Sequence, residues 1–87
     1  MASRPWYVYI LECGDGSYYT GITTDVKARL ATHVKGKGAK YTRGRGPLSI
    51  KYVEIHENKS KALKREYIIK KLSKINKKEL WLINQKK

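Results

Sequence analysis

Residues 6–21 read WYVYILECGDGSYYTG, two apolar and aromatic runs on either side of a Gly-Asp-Gly turn. Such runs are typical of β-strands, and glycines supply the backbone freedom that a tight turn needs. The stretch therefore predicts a β-hairpin. With a three-residue loop, antiparallel register places these pairs on one face of the sheet: Cys13 and Ser17, Leu11 and Tyr19, Tyr9 and Gly21, Tyr7 and Thr23.

On that face two tyrosines become neighbours. Tyr9 and Tyr19 are diagonal to one another, about 7 Å apart, and Gly21 presents no side chain beside the Tyr9 ring. The hairpin is therefore expected to form a slot lined by two phenol groups. Strand propensity alone would also account for the tyrosines, and Gly21 would then simply mark the end of the strand. The opposite face carries an ordinary hydrophobic set: Trp6, Val8, Ile10, Thr20 and Ile22.

The rest of the chain predicts one more strand and three helices. We expect a first helix over residues 25–35, then a glycine-rich loop with one short helical turn over 36–47, and a third strand over 49–55. A second helix is expected from Asn58 or Ser60 to about Ser73. A last short helix is expected to begin at Asn76, with Glu79 as its capping partner. The order β-β-α-loop-β-α-α predicts an α+β fold, a small three-stranded antiparallel sheet flanked by helices. Residues 1–87 are expected to form a single domain.

The chain is strongly basic, with 20 Lys and Arg against 7 Asp and Glu, a formal charge of +13. A polyanionic partner would relieve this self-repulsion, and nucleic acid is the first candidate. A solvated basic surface and contact with anionic lipid are the alternatives. A membrane partner is disfavoured, because the apolar runs are short and no helix pairs a wide apolar face with the basic one. One cysteine, Cys13, and the absence of a secretory signal in MASRPW favour a cytoplasmic location.

The first helix carries two polar residues beside its apolar stripe, which is predicted to consist of Val26, Leu30 and Val34. Arg29 and His33 are four residues apart and lie together on one flank. From that flank both side chains can reach along the sheet into a site. The alternative is that both lie on the surface, the commoner position for such a pair.

Glu66 occupies the middle of an otherwise apolar arc of the second helix. A carboxylate in such a position requires a partner, because an unpaired buried charge is costly. That partner is either a neighbouring Lys or Arg or a divalent cation such as Mg²⁺ or Mn²⁺.

The segment from residue 35 to residue 45 is rich in glycine and basic side chains. Glycines allow close approach of the backbone to phosphates, and an aromatic ring can stack on a base. The candidate nucleic-acid contacts are Lys35, Lys37, Lys40, Tyr41, Arg43 and Arg45. A basic loop without a ligand would have the same composition.

With these residues the chain resembles the GIY-YIG nuclease superfamily, most closely its small stand-alone bacterial members. Tyr7-Val8-Tyr9 and Tyr19-Thr20-Gly21 correspond to the two signature tripeptides, separated by nine residues. Tyr7 and Thr20 replace a glycine and an isoleucine of the signatures, and neither position has a chemical role in the family. The stretches 14–25 and 36–45 also follow the pattern of the small members.

The resemblance extends to the later polar residues. Arg29, His33 and Glu66 match the family's helix arginine, the histidine four residues beyond it and the metal-binding glutamate. A late asparagine contributes to the site in some relatives, and the sequence does not decide whether Asn76 or Asn84 corresponds to it.

The resemblance implies an endonuclease that hydrolyses phosphodiester bonds in nucleic acid with one Mg²⁺ or Mn²⁺. It favours DNA over RNA as the substrate, but the sequence does not decide between the two. Tyr9 would act as the general base, assisted by Tyr19 or His33, and its surroundings would have to lower the phenol pKa from about 10. Arg29 would stabilise charge on the phosphate and Glu66 would hold the metal. The alternative is a nucleic-acid-binding module of the same fold without cleavage. In either case a protein partner is a possible source of specificity.

Overall fold

The computed structural model describes residues 4–85, with side chains as far as Leu82. Its elements are β1 (Trp6–Glu12), β2 (Tyr18–Thr23), α1 (Val26–Val34), a 3₁₀ turn (Lys40–Thr42), β3 (Ser49–His56), α2 (Lys59–Lys70) and α3 (Lys74–Gln85). The strands form one antiparallel sheet in the order β2-β1-β3, which confirms the predicted α+β fold. None of the described helices is long and apolar enough to cross a membrane.

The first hairpin has the predicted register, with Tyr9 opposite Gly21. Gly16 adopts a φ of +84° and donates its N–H to the carbonyl of Cys13 at 2.9 Å. Beyond the turn, the N–H of Cys13 donates to the carbonyl of Ser17 at 2.8 Å. A three-residue loop that ends in a left-handed glycine is a common hairpin connection. The turn therefore fixes the register that aligns the tyrosines.

Tyr9 and Leu11 are buried on one face of the sheet, and the main hydrophobic cluster lies on the other. Val8 and Ile10 of β1 are fully buried there against Ala62 and Ile69 of α2 and Trp81 of α3. This confirms the hydrophobic face that the alternation in β1 predicted. The central strand thus separates the core, on the side of α2 and α3, from the tyrosine face, to which α1 supplies a side chain.

Helix α1 is capped at both ends by residues of its own flanking sequence. The carboxylate of Asp25 accepts an N–H of the first turn at 3.0 Å. At the other end Gly36 has a φ of +76°, and its N–H donates to the carbonyl of His33 while that of Lys37 donates to Thr32, both at 3.0 Å. This paired arrangement around a left-handed glycine is the Schellman motif. It turns the chain sharply into the glycine-rich loop.

The predicted apolar stripe of α1 is wrong at one position. Val34 is 65% exposed, whereas its neighbour His33 is 1% exposed. The helix is rotated so that the imidazole, rather than the valine, faces the sheet. Burial of His33 is tolerated because both ring nitrogens have polar partners.

The boundary between the last two helices also differs from the prediction. Helix α2 ends at Lys70 and α3 begins at Lys74, so Asn76 lies inside α3 rather than at its start. The hydroxyl of Ser73 accepts the N–H of Asn76 at 3.2 Å, and the Ser73 carbonyl accepts that of Lys77 at 2.9 Å. Serine is as good an N-cap as asparagine, so the sequence offered two equivalent starting points.

Candidate active site

The polar face of the sheet is organised around a buried contact between Tyr9 and His33. The phenol oxygen of Tyr9 lies 2.9 Å from Nε2 of His33, and the two residues are 2% and 1% exposed. Gly21 permits this packing, because a Cβ there would lie 2.6 Å from the Tyr9 oxygen and 2.8 Å from Cζ. The space predicted beside Gly21 is therefore filled by the Tyr9 ring itself.

Tyr19 is the second wall of the site. Its ring centroid lies 6.3 Å from that of Tyr9 and 5.2 Å from that of His33, in tilted and edge-on arrangements. This confirms that the two tyrosines of the hairpin are neighbours. Tyr19 also packs against Tyr41 of the loop, at 5.9 Å. The aromatic rings thus lead from the buried contact to the protein surface.

The protonation states of the central pair follow from their surroundings. Burial raises the pKa of Tyr9 to about 12, and the charges of Tyr19 and Glu66 act in the same direction. Arg29 acts to lower the pKa of Tyr9 but is outweighed. The expectation that the surroundings of Tyr9 lower its pKa is therefore wrong, because burial dominates. At neutral pH Tyr9 is a protonated phenol.

His33 is neutral under the same conditions. Burial and then the positive charge of Arg29 lower the pKa of His33 below its usual value near 6.5. A neutral imidazole with one unprotonated nitrogen can accept a proton, whereas a phenol with a pKa of about 12 is a weak acid. Of the two groups, His33 is therefore the proton acceptor.

Glu66 lies on α2, and its negative charge is the smallest of the effects that raise the pKa of Tyr9. Its side chain is 17% exposed, and Oε2 lies 3.3 Å from Nζ of Lys70, one turn later and 54% exposed. Because the lysine of this pair is largely exposed, the pair is worth only a few tenths of a kcal/mol, the usual value for residues four apart on a helix. The lysine partner that the sequence offered for Glu66 is thus present, and it is weak enough for a cation to displace.

The donor set around Glu66 fits one kind of metal. Within the part of the chain that the structure describes, no three His, Cys, Asp or Glu side chains converge to hold an ion. A structural zinc site needs four nitrogen or sulfur ligands, so the residues do not fit zinc. Mg²⁺ is commonly held by one or two carboxylates, with water and substrate phosphate completing its shell. A single carboxylate such as Glu66 would fit Mg²⁺ or Mn²⁺ held in that way.

The glycine-rich loop divides into exposed cations and residues tied to the hairpin. Lys35, Lys37, Lys40 and Arg43 are exposed. Tyr41 is 41% exposed and lies 4.5 Å beneath the guanidinium of Arg45, which forms an ion pair with Asp15 of the hairpin turn at 2.5 Å. The loop is therefore anchored at one end. Because Arg45 already lies over the Tyr41 ring, a base that stacks on this ring face must displace Arg45.

Thr42 is a site residue that the sequence did not reveal. It is 2% exposed, and its hydroxyl oxygen lies 2.9 Å from Nδ1 of His33. A threonine among basic residues and glycines reads as a surface residue. Only the folding of the loop over α1 shows that it is buried.

A second unpredicted group lies on the core side of β3. Glu54 accepts hydrogen bonds from Tyr52 at 2.5 Å, from His56 at 2.9 Å and from Nε of Arg65 at 2.7 Å. Burial acts to raise the pKa of Glu54, but these three bonds outweigh it and the pKa is lowered. Arg65 immediately precedes Glu66 in α2. The ion pair between Arg65 and Glu54 therefore joins α2 to β3 at the residue next to the candidate metal ligand.

Of the two candidate asparagines, only Asn76 has a side chain among the described residues. Asn76 is exposed on α3. The side chain of Asn84 lies outside the described residues. The correspondence to the relatives' asparagine therefore has no structural support.

The buried state of His33 predicts a pH effect on stability. Unfolded histidine takes up a proton near pH 6.5, whereas folded His33 resists protonation, so stability should fall as the pH drops from about 6.5 through the lowered pKa. Urea unfolding between pH 7.5 and pH 5.5 measures this loss. His33→Gln should show a shallower decline than the wild type. Equal declines in the two proteins would show that another group is responsible.

Comparison with known proteins places this geometry in a family. Residues 5–79 match the GIY-YIG catalytic domain. A UPF0213 protein from Halobacterium salinarum is 53% identical over 75 residues, which cover 86% of this chain and 97% of that protein. A UPF0213 protein from Streptococcus sanguinis is 58% identical over 65 residues, 75% of each chain. UPF0213 is a designation that specifies no reaction.

Two solved structures have the same fold. The solution NMR structure of a UPF0213 protein from Bacillus halodurans is 53% identical, with a TM-score of 0.56, over 87% of this chain and 81% of that one. The solution NMR structure of a protein from E. faecalis is 38% identical, with a TM-score of 0.63, over 95% and 90%. With the domain matched over most of its length and relatives about half identical, the chain belongs to the GIY-YIG family of the nuclease superfamily and is related there to the UPF0213 proteins.

Proposed function

We propose that this protein is a metal-dependent endonuclease that hydrolyses phosphodiester bonds in nucleic acid, in DNA rather than RNA. The observation that carries the proposal is the buried 2.9 Å contact between Tyr9 and a neutral His33, with Arg29 and Glu66 acting on the same phenol. These groups activate an external water molecule and do not need a ribose 2′-hydroxyl. DNA therefore suffices as substrate.

The proton of the attacking water leaves through Tyr9. As the phenol oxygen takes this proton, Tyr9 passes its own proton to Nε2 of His33, so no free phenolate has to form. The water oxygen forms a bond to phosphorus, and the bond between phosphorus and the leaving sugar oxygen breaks. That oxygen takes a proton from solvent, and His33 later returns its proton to solvent. Tyr9 is thus a relay, and His33 is the base.

Arg29 and Tyr19 complete the protein's share of the reaction. The positive charge of Arg29 acts on Tyr9 and His33, and its guanidinium would stabilise the negative charge that develops on the phosphate. Tyr19 lines the slot beside both rings and would orient the water or the phosphate.

Glu66 would hold the single Mg²⁺ or Mn²⁺ after exchanging its ion pair with Lys70 for the cation. A divalent ion supplies Lewis-acid stabilisation of charge on the phosphate and leaving oxygens. The four exposed cations of the loop, Lys35, Lys37, Lys40 and Arg43, would contact the nucleic-acid backbone. Specificity would come from substrate shape or a protein partner.

The second candidate function is a nucleic-acid-binding module without cleavage. Two observations favour it: Glu66 is paired with Lys70, and the pKa of Tyr9 is raised to about 12. In this case the basic surface would retain nucleic acid and no bond would be broken.

One experiment separates the two functions. Labelled single-stranded, double-stranded, flapped and branched DNA and RNA are incubated with Mg²⁺, Mn²⁺ or chelator, and binding is measured in parallel at several salt concentrations. A nuclease gives products that appear with metal and vanish with chelator. Salt-sensitive binding to all substrates without product under any metal condition contradicts the proposed activity and supports the binding module.

A further inference from the structure

The hydroxyl of Thr42 lies on the side of His33 that faces away from Tyr9. Its oxygen is 2.9 Å from Nδ1 of His33 and donates its hydrogen to the carbonyl of Ala39, also at 2.9 Å. Tyr9 is at the other ring nitrogen, 2.9 Å from Nε2. All three side chains are buried. The imidazole is therefore held between two hydroxyl groups, away from solvent.

The hydrogens available to this chain of contacts decide the tautomer of His33. The Ala39 carbonyl can only accept, so the single hydroxyl hydrogen of Thr42 points to it and a lone pair of the oxygen faces Nδ1. Nδ1 must then carry the ring proton and donate it to Thr42. A neutral imidazole has one N–H, so Nε2 has a free lone pair, which accepts the hydroxyl hydrogen of Tyr9.

The opposite tautomer satisfies fewer of these contacts. With the proton on Nε2, Nδ1 needs a donor, and Thr42 can serve it only by giving up the Ala39 carbonyl. The N–H of Ala39 also points to Nδ1, but at 3.4 Å it is the longest contact in the group. The hydroxyl hydrogen of Tyr9 would then have no acceptor among its described hydrogen bonds. The three contacts of 2.9 Å therefore favour the proton on Nδ1.

We propose that Thr42 is a positioning residue that holds His33 in the Nδ1–H tautomer, with Nε2 open to take the proton of Tyr9. The catalytic consequence rests on the proposed nuclease activity, but the tautomer is a property of the free protein. When His33 is protonated, its Nδ1–H bond to Thr42 persists, so the proton arrives without rearrangement of the neighbours. Gly38 adds a rigid wall, because a Cβ there would lie 2.8 Å from Cγ and 2.9 Å from Cε1 of His33.

The test compares Thr42→Val, which keeps the shape but removes the hydroxyl, with Thr42→Ser, which keeps the hydroxyl. Nitrogen-15 NMR of the imidazole identifies the protonated ring nitrogen in each free protein. The wild type and Thr42→Ser should show a protonated Nδ1 and a bare Nε2, and Thr42→Val should lose this preference. Metal-dependent cleavage should fall about 10- to 100-fold in Thr42→Val, the range found for partners that orient a functional histidine, and recover in Thr42→Ser.

Two results would overturn the positioning role. One is a wild-type spectrum with the proton on Nε2, which needs no variant and no substrate. The other is a Thr42→Val protein that keeps the Nδ1–H tautomer, whatever its activity. If the wild type cleaves nothing but the tautomer changes as described, the positioning role holds and the nuclease proposal fails. The two proposals are thus decided separately.

Discussion

Replacing Glu66 with glutamine should reduce metal-dependent cleavage about 10³-fold. Glutamine keeps the size of the side chain but removes the negative charge that would hold the cation, and a metal ion contributes several kcal/mol to transition-state stabilisation. The fold should be retained, because glutamine fills the same space and the ion pair that is lost has an exposed lysine as its partner. Initial cleavage rates across a titration of Mg²⁺ or Mn²⁺ measure the effect.

The nucleic-acid affinity of the Glu66 variant separates metal binding from substrate binding. Removal of one negative charge frees Lys70 and raises the net charge, so affinity for nucleic acid should stay equal or increase slightly. Glu79→Gln, at an exposed position on α3, makes the same charge change and should cleave at the wild-type rate. Full activity in Glu66→Gln, with unchanged Mn²⁺ binding in the free protein, would place the metal elsewhere.

The sequence predicted those features of the site that depend only on residues close together in the chain. A Gly-Asp-Gly turn of fixed length sets the hairpin register, and the register alone brings Tyr9, Tyr19 and Gly21 together. Likewise, the four-residue spacing of Arg29 and His33 places them on one side of α1. The family resemblance was needed to connect these residues with Glu66, because they lie on separate elements.

The protonation of the site was not predictable, because it depends on packing between distant segments. Tyr9, His33 and Thr42 lie on β1, α1 and the 3₁₀ turn, and their burial follows from the fold of the loop over the sheet. The basic residues that the sequence places near Tyr9 predict a lowered pKa for its phenol. Burial contributes more than Arg29 and reverses the sign. The residues that bury Tyr9 are distant in sequence, so the spacing of apolar residues within one helix or strand does not predict this burial.

The exposed lysines illustrate the opposite case. They are spread around α2 and α3 and contribute charge, as composition predicts, but some also make specific contacts, such as Lys70 with Glu66 and Lys74 with the Tyr18 ring. Arg45 is an exception, since it spans from the loop to Asp15 and covers the Tyr41 ring. Arg43 and Arg45 thus differ within one loop: Arg43 is exposed, whereas Arg45 joins the loop to the hairpin turn. Only the tertiary structure shows this difference.

Replacing Tyr9 with phenylalanine should lower the cleavage rate about 10²- to 10⁴-fold, the usual contribution of general acid–base catalysis. The change removes only the hydroxyl, so the ring still fills the space beside Gly21 and the site keeps its shape. His33 would lose the hydroxyl that links it to the attacking water. Single-turnover cleavage at saturating protein measures the loss, and the dissociation constant of the complex should be unchanged. Tyr67→Phe, at a position 62% exposed on α2, is the matched control.

The double variant Tyr9→Phe/His33→Gln tests whether the two residues act as one relay. If the proton passes from Tyr9 to His33, either change alone interrupts the path, and the double variant should be no slower than the slower single variant. Losses that multiply would show that the two residues act in separate steps. A Tyr9→Phe protein with the full cleavage rate would contradict the relay outright, because His33 is buried behind the Tyr9 hydroxyl and would need another route to the water.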